Sequence, residues 1–375
     1  MYLLGIFVVC TVILLATLKN NVNSNYISWL CCAILIFLAF TFPIGRDING
    51  YLATFERASS LADSFKYHMS RNFGFNAYML LIKLFTDNSI IFRLIVNITG
   101  IGLIGYTIYK YSDNKLFSTI IFFASGIYVI YLGSGIRQFL AMAIFFFSYF
   151  NFYLQEKNKL YYIGAIIATL FHEAGVFCLL LPVVDYLFKL IKNQKKYYFI
   201  LLVSSLVLGI VVNLVMPQLY ELVGADDPLT HVLLYFRTKE FSIIGLSLRL
   251  VLTVFYCCLY FFNQNKNETD QKMFNTVLVS GLIYCVFANF SIVSRVCDLI
   301  CIIEIIYVPN MIAKFDNNRL KYLFTFAYIA ILSVLLVVDL IETTKALKID
   351  VSSIITYPYV FALDFEKILQ LCNYI

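Results

Sequence analysis

The chain has 375 residues, of which 61 % are hydrophobic and only 13 % are charged. A mean hydropathy of +0.84 excludes an ordinary soluble globular protein and is typical of a polytopic helical membrane protein. The net charge of +6 comes from residues scattered among short loops. It therefore gives no indication of a nucleic-acid partner, and it fits the excess of Lys and Arg expected in cytoplasmic loops.

Apolar segments recur along nearly the whole length and predict an all-α fold, a single integral membrane domain over residues 1–375 with about twelve transmembrane helices. Met1–Leu18 lacks a basic n-region and a small-residue cleavage site, so we predict that it is a retained first spanning helix. The predicted helices cover roughly residues 2–18, 27–44, 90–109, 116–132, 138–154, 160–172, 175–190, 197–216, 242–262, 274–291, 298–313 and 322–340.

If successive loops are assigned to alternate sides of the membrane, most lysines fall on one side and most arginines on the other. One set of loops is short and lysine-rich, and the positive-inside rule makes it cytoplasmic. The opposite, outer set contains the long segments 45–89 and 217–241 and the tail 341–375. All arginines except Arg319 lie on or near this outer face. They are Arg46, Arg57, Arg71 and Arg237 in loops, Arg137 and Arg295 at helix junctions, and Arg93 and Arg249 near outer helix ends.

Arginine on the outer side needs a reason other than topology, because topology does not discriminate Arg from Lys. A guanidinium binds phosphate and carboxylate bidentately and stays charged when it is partly dehydrated. The outer arginines therefore predict an anionic ligand, a phosphate or pyrophosphate, at that face.

A helical hairpin is predicted to bring two candidate residues to this face. It begins after the turn Gly133-Ser134-Gly135, continues with Arg137, and ends at His172 after two membrane crossings. The glycines permit a broken helix entry whose backbone N–H groups could face an anion. The alternative for Arg137 is an arginine that snorkels to lipid headgroups.

His172 and Arg295 each have a functional and a structural interpretation. His172 could act as a general base near neutral pH or donate a hydrogen bond to a leaving phosphate, or it could be bonded within the bundle. Glu173 could orient the imidazole or face water. Arg295 could bind the anion or form a structural pair with Asp298, three residues later.

The outer segments also contain structured elements. The stretch Gly45–Tyr51 is predicted to be a polar turn in which Arg46 and Asp47 cap a helix, contact headgroups or bind ligand. Phe73–Phe85 is apolar but short, which favours an interfacial or re-entrant helix. No HExxH, DxD or glycine-rich nucleotide motif occurs, so we predict neither a metal nor another cofactor.

Five short motifs occur in an order that resembles the EpsG family of bacterial membrane proteins, which is similar in role to the Wzy polysaccharide polymerases. The resemblance covers nearly the whole chain. The sequence departs from the family pattern at Ala174, where a hydroxyl residue is common, and at Asp298, where an aromatic is common. The motifs are Gly45-Arg46-Asp47-x-x-x-Tyr51, Gly135-Ile136-Arg137-Gln138-x-x-Ala141, Phe171-His172, Ser294-Arg295 and Tyr357-Pro358-Tyr359.

The resemblance implies a metal-independent, glycosyltransferase-type polymerase of lipid-linked oligosaccharide repeat units, with a GT-C-like fold, in the bacterial inner membrane. A growing glycan on undecaprenyl pyrophosphate would be transferred to a sugar hydroxyl of another lipid-linked unit at the outer face. Its partners would be this lipid-linked oligosaccharide, membrane lipids, and the flippase and chain-length regulator of the pathway. The expected catalytic residues are His172, Arg137 and Arg295, and the expected substrate-binding residues are Arg46, Asp47, Tyr51, Gln138, Arg237, Tyr357 and Tyr359.

Two other classes of function remain open on sequence grounds. A flippase or transporter of the same lipid-linked oligosaccharide would grip pyrophosphate without chemistry. A membrane glycosyltransferase or glycan ligase would add one sugar or transfer a finished chain, and only its products would distinguish it from a polymerase.

Overall fold

A computed structural model describes residues 2–19, 24–43, 47–60, 72–190, 194–222, 243–287, 291–346 and 359–361. Residue contacts divide the chain into two compact units. Unit 1 comprises Met1–Val176 and Asn318–Ile375, and unit 2 comprises Phe177–Asn317. Both units are built from helices, and two strands of three residues each occur in unit 1.

Unit 1 contains the first eight α-helices, the last one, and two π-helical segments, Ile127–Leu132 and Tyr149–Tyr153. The strands are β1 (Thr41–Pro43) and β2 (Tyr359–Phe361). The α-helices are α1 (Tyr2–Lys19), α2 (Ser24–Ala39), α3 (Ile48–Arg57), α4 (Phe73–Lys83), α5 (Ser89–Tyr111), α6 (Lys115–Ala124), α7 (Ile136–Ser148), α8 (Asn158–Phe171) and α15 (Asn318–Ala346).

Unit 2 contains six α-helices after a 3-10 helix, Glu173–Leu180, that begins in unit 1. They are α9 (Leu181–Lys189), α10 (Gln194–Leu222), α11 (Ile243–Phe262), α12 (Glu268–Phe287), α13 (Ser291–Cys301) and α14 (Glu304–Ala313).

Each predicted span coincides with a helix or a pair of helical segments, but few of these helices are both long and apolar enough to cross a membrane. Within the described ranges, 2 helices, Ser89–Tyr111 and Asn318–Thr343, are long and apolar enough to cross a membrane. A third span results if the bent pair Val293–Cys301 and Glu304–Ala313 is counted together. The remaining apolar helices are shorter, so the number of about twelve spans stays a prediction.

Helices α5, α7 and α8 form the centre of unit 1, where α7 packs against both neighbours. Helix α6 contacts α1, α2, α5 and α15, and every residue from Leu116 to Ala124 is buried. A helix that is apolar on all sides is stable only when other elements or lipid surround it. The packing of α8 against α7 confirms the predicted hairpin.

The segment predicted as the outer loop 45–89 contains two helices. The expected polar turn over Gly45–Tyr51 is wrong from Ile48 onward, where α3 begins. The expected short helix at Phe73–Phe85 is found as α4. Both helices pack onto α5 and α7 through an apolar cluster of Tyr51, Phe55, Ala58, Phe75, Met79, Ile82, Phe92, Val96, Ile136 and Leu140.

Lys83 links the end of α3 to α4 through hydrogen bonds. Its ammonium donates to the backbone carbonyls of Phe55 (2.7 Å), Glu56 (2.9 Å) and Ala58 (2.7 Å). The last carbonyls of a helix have no partner within the helix, and a cation there also complements the helix dipole. Lys83 is the last residue of α4, and these bonds therefore join the two helices.

An antiparallel strand pair joins the chain after α2 to its C-terminal region. Thr41 pairs with Phe361, and Pro43 pairs with Tyr359. The helix predicted over 27–44 is wrong at its end, because α2 stops at Ala39 and a strand follows. Through this pairing, the backbone that leads into the Gly45-Arg46-Asp47 motif lies beside the backbone that follows Tyr357-Pro358.

Helix α12 is the centre of unit 2 and contacts α9, α10, α11, α13 and α14. It begins with a reciprocal cap in which the Asn267 side chain accepts from Asp270 N–H (2.9 Å) and the Asp270 side chain accepts from Asn267 N–H (2.8 Å). The Asp270 carboxylate also binds the ammonium of Lys314. Two loops that the sequence assigns to the lysine-rich side, around residues 266 and 314, are thus in contact.

Candidate functional site

The α7/α8 hairpin places Arg137 and His172 at the same end of unit 1. Arg137 lies in the first turn of α7, and His172 caps the C-terminus of α8. Because α7 and α8 are antiparallel neighbours, the start of one lies beside the end of the other. The two residues thus lie at one end of the hairpin, and their location on one face of a membrane stays a prediction.

The guanidinium of Arg137 is held by an aromatic side chain of α3. Its Nε donates a hydrogen bond to the Tyr51 hydroxyl at 3.2 Å. The guanidinium carbon also lies 5.7 Å from the centre of the Tyr51 ring. Arg137 itself is only half-buried. One edge of the guanidinium is therefore fixed by the protein, while part of the side chain faces solvent.

Tyr51 is well suited to fix Arg137 because its own position is determined by packing. It is buried in the apolar cluster, and its ring meets Phe75 edge to face with centroids 5.8 Å apart. Sequence analysis predicted Tyr51 as a substrate-binding residue. The structure places its hydroxyl in a hydrogen bond with Arg137, and its part in substrate binding stays a prediction.

His172 is buried, with 4 % of its surface exposed. Its Nδ1 accepts a hydrogen bond from the backbone N–H of Ala174 at 3.2 Å. This tight return of the chain depends on Gly175, where a Cβ would lie 2.7 Å from the carbonyl carbon of Ala168. No side chain fits at that distance, which explains the glycine that follows the Phe171-His172 motif.

Glu173 lies next to His172 and is mostly exposed. Its Oε1 is 3.8 Å from His172 Nε2, and 60 % of its side chain is accessible. Its Oε2 accepts a hydrogen bond of 3.1 Å from the Asn72 amide. The same amide donates to the carbonyl of Phe171 at 2.8 Å. Asn72 precedes α4 and thereby links that helix to the end of α8.

The electrostatic environment favours the ionised form of Glu173. Partial burial by itself raises the pKa of this carboxyl, but the neighbouring His172 imidazole, a backbone hydrogen bond at Glu173, the hydrogen bond from Asn72 and the charge of Arg137 outweigh it. The net result is a pKa below the ordinary value for glutamate. Arg137, His172 and Glu173 thus belong to one electrostatic group.

A buried arginine forms a hydrogen bond to the backbone just before the turn that precedes Arg137. Arg93 of α5 is 3 % exposed, and its guanidinium donates to the carbonyl of Leu132. Leu132 ends the first π-helical segment, directly before Gly133-Ser134-Gly135. Arg93 therefore holds the turn from which α7 and Arg137 start.

The other predicted substrate-binding residues have varied locations. Asp47 occupies the N-cap position of α3 and is half-buried, but its side chain makes no capping hydrogen bond. Gln138 is buried, with 2 % exposed. Tyr359 lies in β2. Arg46, Arg237 and Tyr357 lie outside the described residues.

Arg295 belongs to α13 in unit 2 and is exposed. Asp298, its expected structural partner, forms an ion pair with Arg249 of α11. The guanidinium of Arg249 also lies 5.3 Å from the centre of the Tyr284 ring. The predicted part of Arg295 in anion binding stays a prediction.

Sequence analysis missed Asn72 and underrated Glu173. Asn72 precedes an apolar helix and resembles an N-cap in sequence, although its side chain makes no capping bond. Its contacts with Phe171 and Glu173 span about a hundred positions of sequence. No local pattern could have revealed them.

The arrangement joins a fixed, partly exposed cation to a fixed, exposed carboxylate. The first can stabilise a phosphate or pyrophosphate, and the second can accept a proton or hydrogen bond from a hydroxyl. Within the described part of the chain, no group of three or more His, Cys, Asp or Glu side chains could hold a metal ion.

The model of the EpsG family matches residues 24–361, which is nearly the whole chain. No curated protein and no solved structure matches the chain.

Proposed function

Since the chain belongs to the EpsG family, and is therefore a polysaccharide polymerase-like membrane protein, we propose that it polymerises lipid-linked oligosaccharide repeat units. The donor is a growing glycan on undecaprenyl pyrophosphate, and the acceptor is a sugar hydroxyl of a second lipid-linked unit. The reaction takes place at the outer face of the bacterial inner membrane. The glycan is an O-antigen, a capsule or an exopolysaccharide.

One observation carries this proposal: Arg137, whose guanidinium is fixed by Tyr51, lies at the start of α7 beside the end of α8, where His172 and Glu173 follow. In glycosyl transfer, the acceptor oxygen forms a bond to the anomeric carbon while the bond from that carbon to the pyrophosphate oxygen breaks. The leaving oxygen keeps the electron pair, and the acceptor hydroxyl loses its proton. The negative charge on the leaving oxygen needs a cation, and the proton of the acceptor hydroxyl needs a base.

The glycosyl donor is already activated for transfer, because pyrophosphate is a good leaving group. The protein therefore has to position two lipid-linked molecules and stabilise charge. Arg137 binds the pyrophosphate, and the group formed by His172 and Glu173 receives the acceptor. Arg46, Asp47, Tyr357 and Tyr359 contact the glycan, and the parts of Arg295 and Arg237 in binding stay predictions from the sequence.

A flippase for the same lipid is the second candidate, and unit 2 contains the feature that favours it. Helices α13 and α14 are bent by 41° at a short break, and the buried Glu304 begins the second half. The hydroxyl of Tyr256 donates to this carboxylate. Broken helices with buried ionisable residues are common in transporters.

The length distribution of surface glycan in cells tests the proposed function. The gene is deleted and then complemented with wild type or Arg137→Ala, and membrane abundance is measured for both. A polymerase predicts single repeat units in the deletion strain, a ladder with wild type, and a loss of the ladder of at least about 100-fold with Arg137→Ala. Arg57→Ala, at the exposed end of α3, is the control and should restore the ladder.

Two results would contradict the proposal. Accumulation of lipid-linked units on the cytoplasmic side of the deletion strain would identify a flippase. A normal ladder with Arg137→Ala at wild-type abundance would remove Arg137 from the site.

A further inference from the structure

The hydrogen bonding of His172 determines which of its nitrogens can take part in proton transfer. Nδ1 accepts the backbone N–H of Ala174 at 3.2 Å, in a residue that is 4 % exposed. A neutral imidazole has one donor nitrogen and one acceptor nitrogen. Because Nδ1 is the acceptor, the proton of the neutral ring is on Nε2, which faces Glu173.

This tautomer makes His172 a poor general base. A base needs a lone pair that can reach the acceptor hydroxyl, and the lone pair of His172 is directed to a backbone N–H within the protein. Nε2 carries a proton and can only donate. The protonated Nε2 lies 3.8 Å from Oε1 of Glu173, beyond hydrogen-bond distance, so the ring acts on that carboxylate electrostatically, in the way that a second group orients a catalytic side chain.

Glu173 has the complementary properties. Its side chain is 60 % exposed, and its two oxygens have separate contacts in the protein, Oε1 facing His172 and Oε2 bonded to Asn72. An ionised carboxylate offers about four lone-pair sites, so each oxygen can still accept a hydrogen bond from a ligand. The carboxylate is thus both oriented and accessible.

From this geometry we propose that Glu173 is the catalytic base that accepts the proton of the acceptor hydroxyl, and that His172 and Asn72 are positioning residues. The inference rests on the proposed function and reassigns the base that sequence analysis placed at His172. The hydroxyl oxygen bonds to the anomeric carbon, its proton passes to a Glu173 oxygen, and the pyrophosphate leaves with the electron pair beside Arg137. Glu173 then releases the proton to water.

A carboxylate of low basicity suits this type of reaction. Glycosyl transfer has an oxocarbenium-like transition state, and the acceptor hydroxyl becomes strongly acidic as its oxygen bonds to carbon. Inverting glycosidases use a carboxylate in the same role. The neighbouring His172 imidazole, the hydrogen bond from Asn72 and the charge of Arg137 keep Glu173 ionised, and the base is therefore ready at neutral pH.

Two matched substitutions test the assignment in proteoliposomes. The substrate is the pool of lipid-linked repeat units extracted from the deletion strain, and the readout is kcat and KM for chain elongation. Glu173→Gln keeps the size of the side chain but removes the base, so kcat falls at least about 100-fold while KM changes less than about threefold. Asp87→Asn, an exposed acid in the same outer segment, is the control and leaves both constants unchanged.

His172→Gln is the second substitution. The glutamine amide nitrogen replaces the Nε2–H donor toward Glu173, so we expect kcat to fall about tenfold or less. If His172 were the base, this variant would lose as much activity as Glu173→Gln or more. That outcome would overturn the inference, and so would a Glu173→Gln enzyme within about threefold of wild type.

The pH dependence of wild type gives a test that needs no variant. A base acts only when deprotonated, so the rate falls as the pH drops through its pKa. With Glu173 as base, whose pKa is lowered by the neighbouring His172 imidazole and by Arg137 despite partial burial, kcat stays constant from pH 8 down to about pH 5.5. A histidine base would instead lose activity below about pH 6.5, which would contradict the inference.

Failure of the inference and failure of the proposed function give different results. If wild-type proteoliposomes elongate the chain but Glu173 is dispensable, the function stands and the base is reassigned. If wild type produces no polymer from a substrate that the complemented cells do polymerise, the proposed reaction itself is wrong.

Discussion

Units 1 and 2 each combine arginine with carboxylate, but they do so in opposite ways. In unit 2, Arg249 and Asp298 form a direct ion pair, and their side chains are 24 % and 17 % exposed. The buried Glu304 accepts a hydrogen bond from the Tyr256 hydroxyl. In unit 1, the Glu173 side chain is 60 % exposed. It is oriented by a neutral amide and a histidine, and Arg137 binds Tyr51 with its Nε.

The difference distinguishes polar groups that stabilise a fold from polar groups that can bind a ligand. Charges at membrane depth are costly unless another protein group compensates them. The Arg249–Asp298 pair has this compensation within the protein. The groups of unit 1 are oriented by the protein but retain bonding capacity toward solvent, which is the condition for binding and catalysis.

The largest expected effect is a loss of stability on breaking the ion pair of unit 2. Arg249→Ala leaves the Asp298 carboxylate without its ion-pair partner and should destabilise the protein by about 3 kcal/mol. We expect much lower abundance in membranes and a lower thermal unfolding midpoint in detergent. The double variant Arg249→Met with Asp298→Leu removes both charges and should recover most of the abundance.

This prediction also tests the division between the two regions. An Arg249→Ala protein that is as abundant and as thermally stable as wild type, but inactive, would show that the pair takes part in function. The contrast drawn between the two units would then be wrong.

A second prediction concerns the shape of the Arg137 side chain. Lysine at this position keeps the charge but lacks Nε and the planar fork, so it cannot bind Tyr51 and an anion at the same time. We expect Arg137→Lys to be folded and abundant, with kcat/KM about 10- to 100-fold below wild type. Arg57→Lys is the matched control. Wild-type activity in Arg137→Lys would mean that only the charge matters.

The smallest expected effect is that of removing the Tyr51 hydroxyl. Tyr51→Phe retains the edge-to-face contact with Phe75 and the packing of the apolar cluster, and loses the single hydrogen bond to Arg137. A bond of this kind contributes about 1 kcal/mol, so we expect a decrease in kcat/KM of roughly fivefold at unchanged thermal stability. A larger fall in stability than in activity would indicate that Tyr51 serves the core alone.

The helical fold, the α7/α8 hairpin and the short helix α4 could be predicted because each depends on local hydrophobicity. An apolar segment of sufficient length must satisfy its backbone hydrogen bonds internally, and in lipid this favours a helix whatever its neighbours are. The shared location of Arg137 and His172 follows from the same reasoning, since two consecutive helices joined by a short turn return the chain to the end at which it started.

Other parts of the fold depend on contacts distant in sequence. The strand pairing of Thr41–Pro43 with Tyr359–Phe361 joins the two ends of unit 1, and neither three-residue segment has a strand pattern of its own. The π-helical segments replace the ends of predicted straight helices for reasons of packing, since nearly all their residues are buried.

By itself, the amino-acid sequence determined the class of protein, the family, and the meeting of Arg137 and His172 at one end of a helical hairpin. These properties follow from hydrophobicity, charge distribution and short motifs, which are all local. Tertiary structure alone decided that Tyr51 fixes Arg137, that Asn72 orients Glu173, and that the lone pair of His172 is directed to a backbone N–H. Each of these depends on the direction of a side chain within a packed fold, and hydrophobic periodicity carries no information about it.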